Sequence, residues 1–353
     1  MRAAVLHSVE DGKLSIRDDV EVLGPGPGEI RVKLRASGVC HTDLSITQGG
    51  LPQTFPAVLG HEAAGDVVEV GEGVEDFSVG DRVIANWLPA CGSCAHCVRR
   101  EPYLCMTHVM MAYVAPRFIA GDTSLFAMAG VGGFAEEIVV NRLGAVKIGD
   151  DIPYDVACLV GCGVMTGVGA VINTARVEPG SSVCVIGCGG VGIAAIQGAR
   201  IAGASKIVAV DTNVSKHDTA LRFGATHACT PDALEAGDGF DYVFEVVGIP
   251  ATIRKAWTAC RRGGQIIIVS AGRSDHAVEF SPFELLFEAK TIVPSMFGSA
   301  DPHRDFPRLL DFYRTGQLDL DSMITHRIKL DDVGEALANL GRGDVIRQVI
   351  IHD

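Results

Sequence analysis

Residues 182–211 run strand, glycine turn, helix, strand, and that succession leaves few folds open. SSVCVIG is a short apolar strand and GVGIAAIQGARIAGA an apolar helix, with KIVAVD the strand that follows. The turn itself, Gly187-Cys188-Gly189-Gly190-Val191-Gly192, is a G-x-G-x-x-G. Gly187 permits the tight turn, Gly189 lets the backbone approach a pyrophosphate, and Gly192 lets helix and strand pack closely. The helix start then offers free N–H groups and a partial positive charge to phosphates. Asp211 ends the next strand, 24 residues after Gly187, where its carboxylate accepts hydrogen bonds from ribose hydroxyls and repels a 2′-phosphate. Lys216 is expected beside the same ribose. The motif therefore predicts a dinucleotide, NAD rather than NADP.

The alternation continues through SKHDTALRFGA, FDYVFEVVG, a helix around 251–260 and GGQIIIVSA. Near-continuous apolar strands separated by amphipathic helices predict an α/β unit with a doubly wound parallel sheet over 163–296. The preceding third has a different texture. EIRVKLRASGV, AAGDVVEVGEGV and GDRVIAN alternate and are joined by glycine turns, which predicts an irregular β-barrel or sandwich over 1–162. The pattern loosens again near 297, and the 297–353 tail, ending in a helix and a strand, fits either domain by pattern alone.

The formal net charge of −13 argues against nucleic acid and membrane as partners. No signal-like apolar segment opens the sequence, and the most apolar stretch noted, Val183–Ile196, is too short to span a bilayer. The expectation is a cytoplasmic protein, in which eleven cysteines do not make a disulfide framework.

Four of those cysteines, Cys91, Cys94, Cys97 and Cys105, fall within fifteen residues. That spacing wraps one tetrahedral zinc with no open position, a structural site. His96 lies inside the loop but is redundant as a ligand. A second group is dispersed: Cys40-His41-Thr42-Asp43, Gly60-His61-Glu62 and Gly161-Cys162-Gly163. Two cysteines and a histidine make a known catalytic zinc set, yet spacing alone does not unite these, and a buried cysteine is usually a small hydrophobe.

GVCHTD, FPAVLGHEAAGDVVEVGEGVEDFSVGDRV, the four-cysteine lobe, GCGVMTGVGA, VCVIGCGGVG, IVAVDTN and IRQVII occur here in one order. In these motifs the chain resembles the zinc-dependent alcohol dehydrogenases of the medium-chain dehydrogenase/reductase family nearly end to end. The resemblance implies a GroES-like catalytic domain built from both chain ends, 1–162 and 297–353, around a Rossmann domain, with NAD and two zinc ions per chain. It implies Cys40, His61 and Cys162 as catalytic zinc ligands, Glu62 behind the metal, and Asp43 bonded to the free nitrogen of His61. Thr42 would accept the alcohol proton; His41 and Arg347 would serve the pyrophosphate, Thr166 and Val191 the nicotinamide. The best-known members carry histidine three residues after the threonine, where this chain has Ser45, so the outer end of the proton relay differs.

Leu51, Trp87 and Met110, with Met128 and Ala129 beyond them, are the expected apolar substrate lining, suited to a bulky primary alcohol. The alternative within the family is a thiol-dependent formaldehyde dehydrogenase, though the matching stretch TQGGLPQTFP carries no charge to hold glutathione. A nicotinoprotein with permanently bound NAD and a non-catalytic zinc- and nucleotide-binding protein are the other readings. The long 105–134 connection resembles that of dimeric members, giving a homodimer as the expectation.

Overall fold

The computed structural model describes residues 1–343 and 345–353, whose contacts form two compact units. The first comprises Met1–Cys162, Asp301–Asp311 and Leu320–Asp353; the second comprises Gly163–Ala300 and Phe312–Asp319. The chain thus re-enters the first unit at 301 rather than 297, and 312–319 goes back to the second. That excursion has a visible anchor. Buried Gln197 donates to the Asp319 carbonyl at 3.1 Å and accepts from the Asp319 N–H at 2.8 Å.

The first unit is organised by the Glu29–Val39 strand, in which Ile30, Val32 and Leu34 are buried while Arg31, Lys33 and Arg35 face outward. Antiparallel to it lie Glu62–Val70, Glu137–Asn141 and Arg347–Ile351, three of its partners in a seven-stranded sheet. A second, six-stranded sheet carries Ala3–Leu6, Ala57–Val58 and Phe118–Ala120, and one apolar core joins the sheets through Leu6, Leu34, Leu59, Phe118 and Phe134. Pairing of the last strand with Glu29–Val39 sets Ile350 opposite Ser37 and Val349 opposite Gly38, which fixes where Arg347 enters.

The second unit holds a six-stranded parallel sheet in the order His227–Cys229, Lys206–Val210, Ser182–Ile186, Phe240–Glu245, Cys260–Ile268, Thr291–Pro294. The chain begins in the middle and winds outward on one side, then on the other. The switch of direction therefore falls between Ser182–Ile186 and Phe240–Glu245, where such sheets open a crevice at their carboxyl ends. Gly187 has φ of 102°, a backbone open to glycine, and a side chain at Gly192 would collide with the Gly187 carbonyl. Gly189 has nothing within 4 Å of its would-be side chain, leaving the start of the Gly190–Ile201 helix accessible.

One helix passes unmarked in the sequence reading. Tyr154–Ala175 is 22 residues long and apolar enough to cross a membrane, but 78% of its most apolar window is buried inside the protein, as befits a core helix. It carries two π-helical stretches, Val160–Val164 and Ala170–Ala175.

A buried histidine just past the last strand tests the packing of the first unit. His352 is buried, its Nε2 lies 3.0 Å from Ser37 Oγ, and that hydroxyl donates to the Gly133 carbonyl at 2.7 Å. Burial pushes its pKa down to about 4. The unfolded chain takes up this proton near 6.5 and the folded chain only near 4, so stability falls with pH across that window and levels below it. The loss amounts to about 3 kcal/mol. Chemical denaturation of His352→Gln across pH 4 to 7 is expected to show that slope removed; an unchanged slope would assign it elsewhere.

Candidate active site

The cysteine lobe forms without secondary structure of any length, in keeping with a loop that needs a metal to hold it. Cys94 caps the four-residue helix Ala95–Val98, and Cys105 follows the short turn Pro102–Leu104. The sulfurs of Cys91, Cys94, Cys97 and Cys105 all lie within 4.8 Å of one another, and none is in a disulfide. Cys91 and Cys97 sulfurs are 4.0 Å apart, those of Cys94 and Cys97 3.6 Å. A tetrahedral ion with Zn–S bonds of about 2.3 Å sets its sulfurs roughly 3.8 Å apart, so the four fit zinc. Backbone N–H groups already point at the sulfurs: Cys91 N–H donates to Cys105 Sγ and Cys94 N–H to Cys91 Sγ, each at 3.3 Å. A hydrogen bond from Thr107, with others from the Ser93 and Cys94 backbone, brings the Cys91 thiol down to about 5. Burial pushes Cys97 up to about 12, a proton that metal binding would release. His96 lies outside the sulfur cage, its Nδ1 3.3 Å from Glu101.

The dispersed residues also come together. One ligand atom each from Cys40, His61, Glu62 and Cys162 falls within 4.8 Å of the others, and the three zinc-type ligands are buried. Different elements deliver them. Cys40 ends the Glu29–Val39 strand and caps the His41–Thr47 helix, His61 and Glu62 open the next strand, and Cys162 sits in the Val160–Val164 π turn. A π turn adds a residue to one helical turn and re-aims what it carries. Gly161 lets that turn approach closely, since a side chain there would stand 3.0 Å from the Ala85 carbonyl.

Asp43 ties the ligand set. Fully buried, it accepts from Cys40 N–H at 2.8 Å, Gly60 N–H at 3.1 Å and His61 Nδ1 at 3.2 Å. With Nδ1 so engaged, His61 Nε2 is the free nitrogen, and it is buried with no hydrogen-bond partner. An orphaned imidazole nitrogen beside two buried thiols is a set that fits zinc. Burial opposes charge on His61, but the Asp43 carboxylate outweighs it and holds the histidine well above its usual pKa. Cys40 is held low, first by a hydrogen bond to Cys162, whose own thiol is correspondingly raised.

Behind the ligands, Glu62 pairs with Arg347, both buried. Burial raises Glu62 to about 7 against the pull of Arg347. A side chain at Gly38 would strike the Glu62 carboxylate, so that glycine makes room for the pair. Arg347, expected at a pyrophosphate, is thus placed here, while His41 is exposed on its helix. Thr42 Oγ1 lies 3.7 Å from Cys40 Sγ. Ser45 donates its hydroxyl to the His41 carbonyl at 3.0 Å, inside the same helix.

Of the substrate-lining candidates, Leu51, Trp87 and Ala129 are half-buried against the first unit's core and Met128 is within it. Met110 is 53% exposed. Thr54 Oγ1 donates to the Tyr113 carbonyl at 2.8 Å, fastening the 51–54 segment to the Val109–Tyr113 turn that bears Met110. In the second unit Asp211 accepts from Cys188 N–H and Asn213 N–H, both at 2.8 Å, with Lys216 Nζ at 3.6 Å. Thr166 and Val191 are half-buried in that unit.

Two family models match. The alcohol dehydrogenase GroES-like domain covers residues 26–150 and the zinc-binding dehydrogenase domain residues 190–315. The putative alcohol dehydrogenase D of Mycobacterium tuberculosis is 39% identical over 99% of both chains. The chain belongs to the zinc-dependent medium-chain alcohol dehydrogenases. The S-(hydroxymethyl)glutathione dehydrogenase of Paracoccus denitrificans is 35% identical over 100% of both chains. Among solved structures, benzyl alcohol dehydrogenase from Acinetobacter calcoaceticus superposes with a TM-score of 0.92 at 28% identity, covering 100% of this chain and 99% of that one. The fold is accordingly a GroES-like domain plus a Rossmann domain, as the motifs led one to expect.

The sequence reading had no signal for the π turn at Cys162 or for the Glu62–Arg347 pairing. GCG looks like a loop, and an arginine's partner 285 residues away leaves no local trace. Asp43→Asn would set an amide N–H₂ against donors that now face a carboxylate. Zinc affinity at the Cys40–His61–Cys162 cluster is expected to fall about 10- to 100-fold. Zinc content after dialysis against a competing chelator checks this: the variant should retain only the ion of the four-cysteine lobe.

Proposed function

We propose that this alcohol dehydrogenase oxidises a bulky apolar primary alcohol to its aldehyde, reversibly, with NAD as hydride acceptor and two zinc ions per chain. The observation that carries the reading is the buried Cys40–His61–Cys162 cluster with one free imidazole nitrogen, on a chain whose family is the alcohol dehydrogenases. Zinc held there supplies a Lewis acid that lowers the pKa of an alcohol hydroxyl. Cys40, His61 and Cys162 hold it, and Cys91, Cys94, Cys97 and Cys105 hold the structural ion. Asp43 keeps Nδ1 of His61 occupied, so that Nε2 faces the metal. Thr42, beside Cys40, receives the hydroxyl proton. Ser45 is no base near neutral pH, so the proton leaves by solvent or the cofactor's own hydroxyl groups. Glycines 187, 189, 190 and 192 take the pyrophosphate side, Asp211 and Lys216 the adenosine ribose, and Thr166 and Val191 the nicotinamide. The Asp211 carboxylate favours NAD over NADP.

Leu51 and Trp87 give the substrate an apolar wall, and no charged residue interrupts Ile46–Val58. The benzyl alcohol dehydrogenase likeness is in keeping with an aromatic substrate. The glutathione-linked relative favours a second reading, oxidation of a formaldehyde–thiol adduct. We also infer a cytoplasmic homodimer. The edge strand Thr291–Pro294 is mostly exposed, and beside it the Pro282–Glu288 helix exposes Phe283, Leu286 and Phe287. Such an edge is covered by a second copy of itself.

NADH production from ethanol, benzyl alcohol, geraniol and glutathione-treated formaldehyde, followed by absorbance, separates the readings. Turnover of benzyl alcohol or geraniol is expected, with Trp87→Ala raising KM for these on the order of tenfold and leaving ethanol little changed. Turnover of the thiol adduct alone would overturn the apolar-alcohol reading in favour of the second. No NADH from any of them would defeat both.

A further inference from the structure

Glu245 lies outside every role assigned so far, yet it sits at the switch point of the parallel sheet. It ends the Phe240–Glu245 strand and is in register with Ile186, the residue before the glycine turn, and with Ile268 on its other side. It is fully buried, and its two oxygens are used very unequally. Oε1 accepts from Val247 N–H at 3.0 Å, Gly248 N–H at 2.9 Å and Thr252 Oγ1 at 2.7 Å. Oε2 is buried and accepts nothing.

A buried carboxylate oxygen left without a donor keeps its desolvation cost uncompensated, so this is a poor arrangement if folding were its only purpose. What the three bonds achieve is a shape. They fold the chain after the strand into a turn at the start of the Pro250–Ala259 helix, where Thr252 belongs to the first helical turn. That turn borders the glycine loop: a side chain on Gly187 would stand 2.9 Å from Val247 Cγ2 and 3.4 Å from the Val246 carbonyl. On its far side Gly248, with φ of 84°, packs against Ser270 and Gly272. The helix start is also an anion site in the making, with donors and a partial positive charge. Glu245 takes two N–H groups of the segment just ahead of that helix and one hydroxyl of its first turn, while the Gly190–Ile201 helix opens with no side-chain cap.

We propose that Glu245 is a positioning residue for the dinucleotide. By capturing Val247, Gly248 and Thr252 it sets the crevice wall opposite the glycine turn. The proposal rests on NAD binding at that turn. It goes beyond the cofactor contacts named above because Glu245 need not touch the cofactor.

The test is NADH binding to the full-length zinc-loaded protein, followed by nucleotide fluorescence, with the parent as reference. Glu245→Ala is expected to raise the NADH dissociation constant about tenfold or more, the worth of hydrogen bonds to a charged acceptor. Glu245→Gln, which keeps an acceptor at the Oε1 position, should bind within about threefold of the parent, and added formate should restore part of the alanine variant's loss. At saturating NAD the KM for alcohol should not move. If the alanine variant does not fold, Thr252→Val decides, with an expected weakening of about threefold. Folded variants that lose thermal stability but bind NADH within twofold of the parent would overturn the proposal. So would a glutamine variant as weak as the alanine one. A parent that binds no NADH would strike the NAD reading itself, and this proposal with it.

Discussion

The catalytic centre depends on one buried carboxylate. Asp43 accepts hydrogen bonds from Cys40, at the start of its own helix, and from the consecutive residues Gly60 and His61, so one carboxylate ties two separate segments of the chain together. The bond to Cys40 N–H closes the N-terminus of the His41–Thr47 helix and so fixes the direction of one thiol. The bond to Gly60 N–H holds the glycine before the ligand histidine. The bond to His61 selects the nitrogen left for a metal. Charge-assisted bonds of this kind are the strong ones, and burial makes each stronger and its loss more costly. Coordination is thereby prepared in the fold before any ion arrives.

A second buried charge pair stands behind the ligands. Glu62 and Arg347 are both removed from water, and breaking such a pair from one side typically costs 3–5 kcal/mol because the survivor stays buried. The C-terminal strand is what brings Arg347 there, through its pairing with Glu29–Val39. That pairing gives a physical reason for the chain's return to the first unit after the sheet domain. Without the return, Glu62 would lie buried with no cation, and burial has already raised it to about 7 even with the arginine in place.

Much of this was legible in the sequence wherever the determinants are local. The glycine turn with flanking strands and the four-cysteine lobe each lie within a short span, so spacing carries their geometry. The dispersed ligands did not unite by spacing; family resemblance joined them, and the fold places them within reach of one another. Determinants that act through tertiary contact left no trace. The π turn that carries Cys162 lies where Gly161 packs close to the Arg82–Ala85 strand, a contact between residues far apart in the chain. The excursion of 312–319 depends on Gln197, more than a hundred residues earlier. Met110 fits an apolar lining by composition, yet it stands on an exposed turn, because nothing in its neighbours fixes which face of a one-turn helix looks inward. The half-satisfied Glu245 is likewise invisible to pattern, since a strand-ending glutamate is usually a solvated one.

The central claim is that one chain carries two zinc sites of different chemistry, one closed by four thiolates and one open with two thiolates and an imidazole. X-ray absorption at the zinc edge, on protein of known metal content, tests it most directly. Two ions per chain should share the six thiolates, giving three sulfur ligands per zinc on average, with the remainder nitrogen or oxygen. A single ion per chain with four sulfurs, or two ions averaging two sulfurs, would contradict the account.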